Sequence, residues 1–443
     1  MIFLRNYHYF LQYIFGCAKI AKRNGWEVKS VAYNSHRFKR YLILNMISHL
    51  GPISRTELIE LTDYRPASVS DIIKELLDEK LIVETGYASV GHGRKRTMLE
   101  INKEHLCAVG ISFTDDSVNY VVSRIDGSVL LHCVQKVGMD ATREDLIREI
   151  IRNIQVLLEQ FADKRIVGIG ISEPLFDPTA YQYGNSLVTN YSHFNDWIHI
   201  SLKPRLQEEF GLLVDSYSGV TLPAMAEQRF GAAKGVQNFI CVELSNGIGS
   251  SICCNGMPVA GANGMAGELG HTVIEYGAGR HRLCYCGKPD CVEVDTAYPA
   301  LVGAIMDALD HGVLSSLTQG QPITVTAIRD ALIAGDRMCM HLVREAALRL
   351  GVVIANAVNL LNPELVVLHG FMLELGDYFL KHLEQSLREN VLAIAADFQL
   401  KVSDSMETLL PLGAVAEIFS YYLRSDDYKW VYQLRNPDTG GKL

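Results

Sequence analysis

Apolar residues recur at helical spacing through Tyr41-Leu42-Ile43-Leu44-Asn45-Met46-Ile47, and the run stops at Gly51-Pro52. Ser54-Arg55-Thr56-Glu57 follows, a spacing at which the Ser and Glu side chains reciprocally satisfy free backbone amides. It predicts a short helix opening there, with Leu58, Ile59 and Leu61 turned inward. Asp63-Tyr64-Arg65 reads as a turn, and Pro66 suits the first position of a next helix, where its missing amide is no loss. In that helix Val69, Ile72, Ile73, Leu76 and Leu77 mark a core face, while Ser68, Ser70, Asp71 and Lys74 project from the other. Leu81–Glu84 and Thr97–Ile101 then predict two strands, with Gly91-His92-Gly93-Arg94-Lys95-Arg96 in the loop between them.

Helix, short helix, tight turn, longer helix and a two-stranded wing form the outline of a winged helix-turn-helix. In that motif the second helix of the pair enters the major groove. Glycines around closely spaced arginines let an extended basic loop enter the narrow minor groove, whose negative potential favours guanidinium groups. The candidate DNA contacts are Arg55, Ser68, Ser70 and Lys74 on the helices, with Arg94 and Arg96 on the wing. A small helical protein-docking module with a solvated basic loop is the alternative reading.

From Cys107 onward strand-like runs alternate with amphipathic stretches. Val167–Ile171, Phe239–Leu244 and Leu365–Leu368 are the strands, and Asp145–Phe161 and His341–Leu361 are the helical segments between them. The alternation predicts an α/β domain in two lobes. At 443 residues the chain is long enough for two or three domains. The expected boundaries are an N-terminal extension of unknown role over 1–34, a winged helix-turn-helix over 35–103, a two-lobed sensor over 104–425 and a tail over 426–443.

Charge supports that division. Residues 1–103 hold sixteen Lys/Arg against ten Asp/Glu, so a basic head precedes a body that brings the whole chain to −9. A basic head suits a polyanion and an acidic body does not. Met1–Phe15 is aromatic but broken by Arg5, Asn6, His8 and Gln12, which argues against a membrane span. The ten cysteines show no disulfide framework, so a reducing, cytoplasmic setting is expected.

Three of those cysteines carry the candidate chemistry. Cys284, Cys286 and Cys291 lie within eight residues, and His271 stands thirteen positions upstream in Gly267-Glu268-Leu269-Gly270-His271. Three soft sulfurs and an imidazole are the ligand set of a tetrahedral zinc site, and Gly287 and Pro289 suit the tight loop such spacing needs. Four protein ligands leave no place for an activated water, so one structural Zn2+ per chain is expected. His281 is a competing imidazole, and unrelated buried thiols are the bland alternative.

Glu268-Leu269-Gly270-His271, the Cys-x-Cys-Gly run and Cys291-Val292-Glu293 together resemble the ROK family (repressors, open reading frames and sugar kinases). Glu243–Ser250, Val358–Glu364 and Leu412-Gly413-Ala414 extend the resemblance across roughly residues 35 to 425. It implies a two-lobed, actin-like (ribonuclease H-like) ATPase-type fold. With the head in front, the chain is similar to the xylose and N-acetylglucosamine repressors of that family.

The family's kinases carry an Asp-x-Gly-Gly-Thr phosphate turn, an Asn-Asp pair before Met225-Ala226-Glu227 and two glycines near the nucleotide. This chain has Ser112-Phe113-Thr114-Asp115-Asp116, Ser218-Gly219 and His369-Gly370 in those places. No catalytic residue is therefore assigned. Asp215, four residues before Gly219, would replace the missing base only through a register shift. By the same resemblance Asn190, Glu268, His271 and Glu293 fall on sugar-contact positions; support of the metal ligands is the alternative role for Glu268 and Glu293. The implied function is a carbohydrate-gene regulator that binds a double-stranded DNA operator. Its effector would be a sugar or sugar phosphate, its assembly a homodimer or higher homo-oligomer, and a sugar-transport protein is an alternative controlling partner. A sugar kinase with a fused DNA-binding head is the competing reading.

Overall fold

A computed structural model of the protein describes residues 36–62, 64–88, 96–114, 117–138, 142–173, 202–262, 264–274, 282–284, 286–404 and 407–423. It divides into two compact units, residues 1–102 with 420–443 and residues 103–419.

In the first unit α1 (His36–Leu50), α2 (Arg55–Thr62) and α3 (Pro66–Asp78) pack with a sheet of order β1-β3-β2, formed by Ile53–Ser54, Arg96–Ile101 and Ile82–Ala88. The sequence signals act as physics dictates. Ser54 donates its amide and hydroxyl to Glu57 at 2.8 and 2.6 Å, while the Glu57 amide donates to Ser54 Oγ. Pro66 opens α3 and buries Val69, Ile72, Ile73 and Leu76 completely. Two expectations change. Leu61 is 38% exposed because α2 turns only Leu58 fully inward, and Leu77 is half-buried at the edge of the α3 stripe. The strand expected over Leu81–Glu84 also runs on to Ala88, past a bulge between Thr85 and Tyr87 where Gly86 takes a left-handed conformation.

The second unit holds two five-stranded sheets with the same strand order. One runs β6-β5-β4-β7-β8, from β4 (Leu106–Phe113), β5 (Ser117–Arg124), β6 (Val129–Lys136), β7 (Arg165–Glu173) and β8 (Leu213–Ser218). The other runs β11-β10-β9-β12-β13, from β9 (Phe239–Leu244), β10 (Ile248–Cys254), β11 (Met257–Pro258), β12 (Leu365–His369) and β13 (Gln399–Val402). In each, three antiparallel strands are followed by two parallel ones. The α/β expectation holds, and every strand and helix read from the body's periodicity is present.

On one face of the first sheet α4 (Arg143–Gln160) and α5 (Leu202–Phe210) bury Ile147, Ile150, Ile154 and Leu206 against Val109, Tyr120 and Ile169. The last helix, Leu409–Leu423, crosses the opposite face so closely that a Cβ at Gly170 would lie 2.5 Å from the Ala414 carbonyl oxygen. Only glycine permits that approach.

The second sheet is covered on one face by α8 (Tyr298–Asp310), α9 (Val325–Ile333), α10 (Arg337–Leu361) and α11 (Asp377–Asn390), which share one apolar core with Ile240, Val242, Leu244, Val366 and Leu368. Its other face carries Phe239, Cys241, Leu365 and Val367, packed with Ala224 of α6 (Leu222–Arg229). Among the described residues no helix is long and apolar enough to cross a membrane.

Candidate functional site

His271 ends a 3-10 turn, Leu269–His271, that docks on β10 through the Ser250 amide and hydroxyl, which donate to the Gly267 carbonyl at 2.8 and 2.9 Å. The cysteine loop folds on itself. Leu283 bridges Pro289, and the amides of Cys284 and Gly287 donate to Lys288 and Cys284. Gly287 and Asp290 take left-handed conformations, and the Val292 amide ties the loop to the Thr272 carbonyl at 2.9 Å.

These turns bring His271, Cys284, Cys286 and Cys291 together, with one ligand atom from each within 4.8 Å of all the others. Cys284 Sγ stands 3.5 Å from His271 Nδ1, and Cys286 Sγ stands 3.6 Å from Cys291 Sγ. Sulfurs at about 2.3 Å and nitrogens at about 2.1 Å from one tetrahedral ion lie about 3.6 to 3.8 Å apart, so the donor set fits a metal in both chemistry and size. Burial pushes the Cys284 thiol up to about 11 and raises Cys291 further, with the neighbouring thiols adding to it. Buried thiols this close keep their protons until a cation displaces them. Tyr285 and His281 lie outside the described residues.

The other imidazole nitrogen faces away from the sulfurs. His271 Nε2 lies 3.6 Å from Glu268 Oε2, and Glu268 remains partly exposed. Glu293 opens α7 (Glu293–Thr296) and is 7% exposed; its Oε2 accepts the Ile248 amide at 2.9 Å. That oxygen fits because Gly247 and Gly270 flank it, where added Cβ atoms would lie 3.1 and 3.0 Å away. Burial raises the Glu268 carboxyl, the His271 ring offsets part of this, and Glu293 adds to it. Glu268, His271 and Glu293 are thus neighbours, whereas Asn190 lies outside the described residues.

Two further residues belong to this region; the sequence reading names Glu243 only as part of the family resemblance and His369 only as a departure from the kinase glycines, and does not pair them. Glu243 on β9 is raised by burial, with a hydrogen bond from Ser245 opposing and Glu293 reinforcing the shift. His369 on β12 pairs in register with Glu243, is 6% exposed, and is lowered to about 4 by burial. The available signal was a charged residue interrupting an apolar strand; the register that pairs it with His369 is tertiary information.

At the kinase-type positions the structure is equally specific. Thr114 and Ser117 meet by a 2.6 Å hydroxyl contact and a 2.9 Å bond from the Thr114 amide to the Ser117 carbonyl, and Asp115 and Asp116 lie outside the described residues. Asp215 on β8 is held by Lys203 Nζ at 2.7 Å and by the Ser216 amide at 3.0 Å. Gly370, following His369, has a φ of 105°, and a Cβ there would sit 2.4 Å from the Leu244 carbonyl oxygen.

In the first unit Ser70 and Lys74 are exposed on α3 and Ser68 is half-buried. Arg55 makes a 2.8 Å ion pair with Glu84 of β2. Arg96 begins β3 and is close enough to Glu57 to help lower its carboxyl, after Ser54. Arg94 lies outside the described residues.

Comparison with known proteins follows this geometry. The model of the ROK family matches residues 109–409. A xylose repressor of Caldicellulosiruptor bescii is 28% identical over 400 residues, covering 88% of this chain and 98% of its own. A crystal structure of a ROK family transcriptional regulator, a homolog of the E. coli MLC protein, aligns with a TM-score of 0.72 at 24% identity, over 88% of this chain and 98% of its own. A ROK hexokinase from Thermus thermophilus aligns with a TM-score of 0.58 at 21% identity, over 71% of this chain and 99% of its own. The shared architecture is thus common to a regulator and a kinase, and fold alone does not choose between them.

Proposed function

The chain belongs to the ROK family, and on that premise we propose that it is a DNA-binding transcriptional repressor of carbohydrate-uptake or catabolic genes. Its body senses a sugar or sugar derivative and does not phosphorylate it. The observation that carries this reading is the pairing, in one chain, of a ROK body with a helix-turn-helix and β-hairpin whose second helix presents Ser70 and Lys74 outward. The repressor and regulator relatives extend over 88% of the chain and the hexokinase over 71%.

As a winged helix-turn-helix, the head places α3 in the major groove, while Arg94 and Arg96 of the wing approach the minor groove. Arg55, being paired to Glu84, contributes less than Lys74. In the body, Glu268 and Glu293 offer carboxylates to vicinal hydroxyls. His271, Cys284, Cys286 and Cys291 hold one structural Zn2+, which supplies a rigid clip and no open coordination position. A position equivalent to the kinase base is occupied by Gly219, and Asp215 is tied to Lys203. Both favour sensing over phosphoryl transfer, which needs a carboxylate to orient the attacking hydroxyl.

A homodimer would offer two heads to operator half-sites, and the effector must favour one arrangement of those heads over another, since equal affinity shifts nothing. The test is a footprint on the promoter region of the chain's own gene, with and without a panel of sugars and sugar phosphates. Protection that Arg94→Ala with Arg96→Ala weakens, and that one of the panel relieves, is expected. ATP-dependent phosphorylation of a hexose, lost in Asp215→Asn, would overturn the reading in favour of a kinase.

A further inference from the structure

The charged side chains of the head separate into those with partners and those without. Arg40 and Arg55 make 2.8 Å ion pairs with Glu79 and Glu84, and His36 lies 3.1 Å from Glu75. Glu57 is taken up by Ser54, and Lys39 sits 5.3 Å from the Tyr64 ring centroid. At α3 four charged groups are left without a hydrogen bond or ion pair among the described residues: Arg65 at its N-cap, Asp71, Lys74 and, at the last position, Asp78, all exposed.

Complete burial of Val69, Ile72, Ile73 and Leu76 fixes the rotation of α3, so its outward stripe is Ala67, Ser70, Asp71 and Lys74. Residues 67, 70, 71 and 74 follow the i, i+3, i+4, i+7 spacing of one helix face. Asp71 lies about 7.5 Å along the axis from Pro66, within the early part of a recognition helix that reaches base edges. Asp78, another exposed acid, stands about 10 Å further on, towards the far end of the helix.

An unneutralised carboxylate in the middle of a DNA-facing stripe has two physical outcomes. Against phosphates it repels. On the floor of the major groove it accepts a hydrogen bond from the exocyclic amine of cytosine, the one base whose major-groove edge offers a donor without an adjacent acceptor. The short side chains of Ala67 and Ser70 let the helix come close enough for the second. Arg65, with five donors and no carboxylate to occupy them, matches the O6 and N7 acceptors of guanine.

We infer that Asp71 and Arg65 determine operator sequence: Asp71 selects a cytosine through its N4 amine, and Arg65 selects a guanine through O6 and N7. This rests on the reading of the head as a DNA-binding module.

The test uses the full chain at one fixed salt concentration and selects sites from a random double-stranded library. The wild type is compared with Asp71→Asn, Asp71→Ala and Arg65→Ala, whose exposed positions leave the fold intact, as unchanged melting temperatures would verify. Wild-type sites are expected to contain an invariant C·G pair at which Asp71→Asn shifts the preference from C to A, leaving other positions unchanged, because a carboxamide pairs with adenine N6 and N7. Arg65→Ala is expected to lose one guanine preference and about tenfold or more in affinity for the selected site. Unchanged base preferences in both Asp71 variants, or equally tighter binding to every duplex, would overturn the inference and leave Asp71 as a repulsive surface charge. Failure of the wild type to select any sequence would refute the DNA-binding reading itself, before any variant is scored, and the inference with it.

Discussion

Replacing Glu268 with Gln separates two roles for that carboxylate, contact with an effector and orientation of a metal-binding histidine. His271 turns Nδ1 towards Cys284 and Nε2 towards Glu268, the orientation in which a carboxylate fixes the tautomer and raises the basicity of a ligating ring. The magnitude follows from the contact. At 3.6 Å it is longer than a hydrogen bond of 2.7 to about 3.2 Å, so the coupling is mainly electrostatic. Two full charges at that separation would attract by about 4 to 5 kcal/mol at an effective dielectric of about 20. A metal-bound imidazole is neutral, however, and Glu268 is 36% exposed, so a fraction near 1.4 kcal/mol is the appropriate size. That is about a tenfold loss of metal affinity, at the lower end of the about 10- to 100-fold effects of such partners.

Competition between the purified chain and a chromophoric chelator measures the zinc dissociation constant directly. Isothermal titration with the sugar that relieves the footprint measures effector affinity in the same sample, kept saturated with metal. A metal affinity within twofold of wild type, with sugar binding lost, would refute the orienting role and leave Glu268 as an effector contact alone. Loss of metal affinity with sugar binding retained at saturating zinc gives the converse. Cys284→Ser is the reference variant, because it removes a ligand outright and should leave less than one zinc per chain after dialysis.

Three other outcomes test the surrounding structure. His369 is held neutral with its pKa near 4, whereas the unfolded chain takes up this proton near 6.5. Its titration leaves stability untouched above pH 6.5 and lowers it as pH falls towards 4, by about 2 kcal/mol between pH 7.5 and 5. Urea unfolding of wild type and His369→Asn at both pH values should differ in slope by that amount, and parallel pH dependences would count against the assignment. Asp295 accepts from Arg349 at 3.0 Å and lies 3.5 Å from Arg282 in the cysteine loop. Asp295→Asn, which removes the negative charge from between Arg282 and a largely buried Arg349, should destabilise the body by about 2 kcal/mol and raise protease sensitivity in the loop. Glu57→Ala breaks the reciprocal capping at the start of α2 and should lower head stability by about 1 kcal/mol in denaturant unfolding, with the body transition unmoved.

The features legible in the sequence are those whose partners are close along the chain. Ser54 and Glu57 are three residues apart, the α3 core stripe spans two turns, and three of the four residues that could hold a metal ion occupy one short loop. Each has a local geometry that residue type and spacing determine. Glu243 and His369 are 126 positions apart and meet only because β9 and β12 run parallel in a given register, and Asp295 meets Arg349 across 54 residues. No periodicity encodes such pairings. Leu61 departs for a different reason: α2 is eight residues long, too short for a repeating apolar stripe to fix its rotation, and it buries Leu58 and Thr62 instead.

The same distinction bears on where specificity lies. The metal loop and the capping box are built from residues that satisfy one another, and such closed sets hold a fold in place without selecting a ligand. Among the described residues Arg65, Asp71 and Lys74 at α3 make no hydrogen bond or ion pair, and in the body His369 is kept neutral by burial. Retaining them carries a cost. Burial of the His369 ring costs stability as pH falls through the unfolded-state pKa, and an unneutralised acid in a basic head weakens general attraction to DNA. A chain that keeps both costs gains from them only if ligands complete the missing bonds. Specificity should therefore be lost, with stability preserved or increased, when these particular residues are replaced. Ala substitution at Asp71 that broadens the selected sequences without lowering the melting temperature, and apolar substitution at His369 that stabilises the body while abolishing effector response, are the paired results this requires.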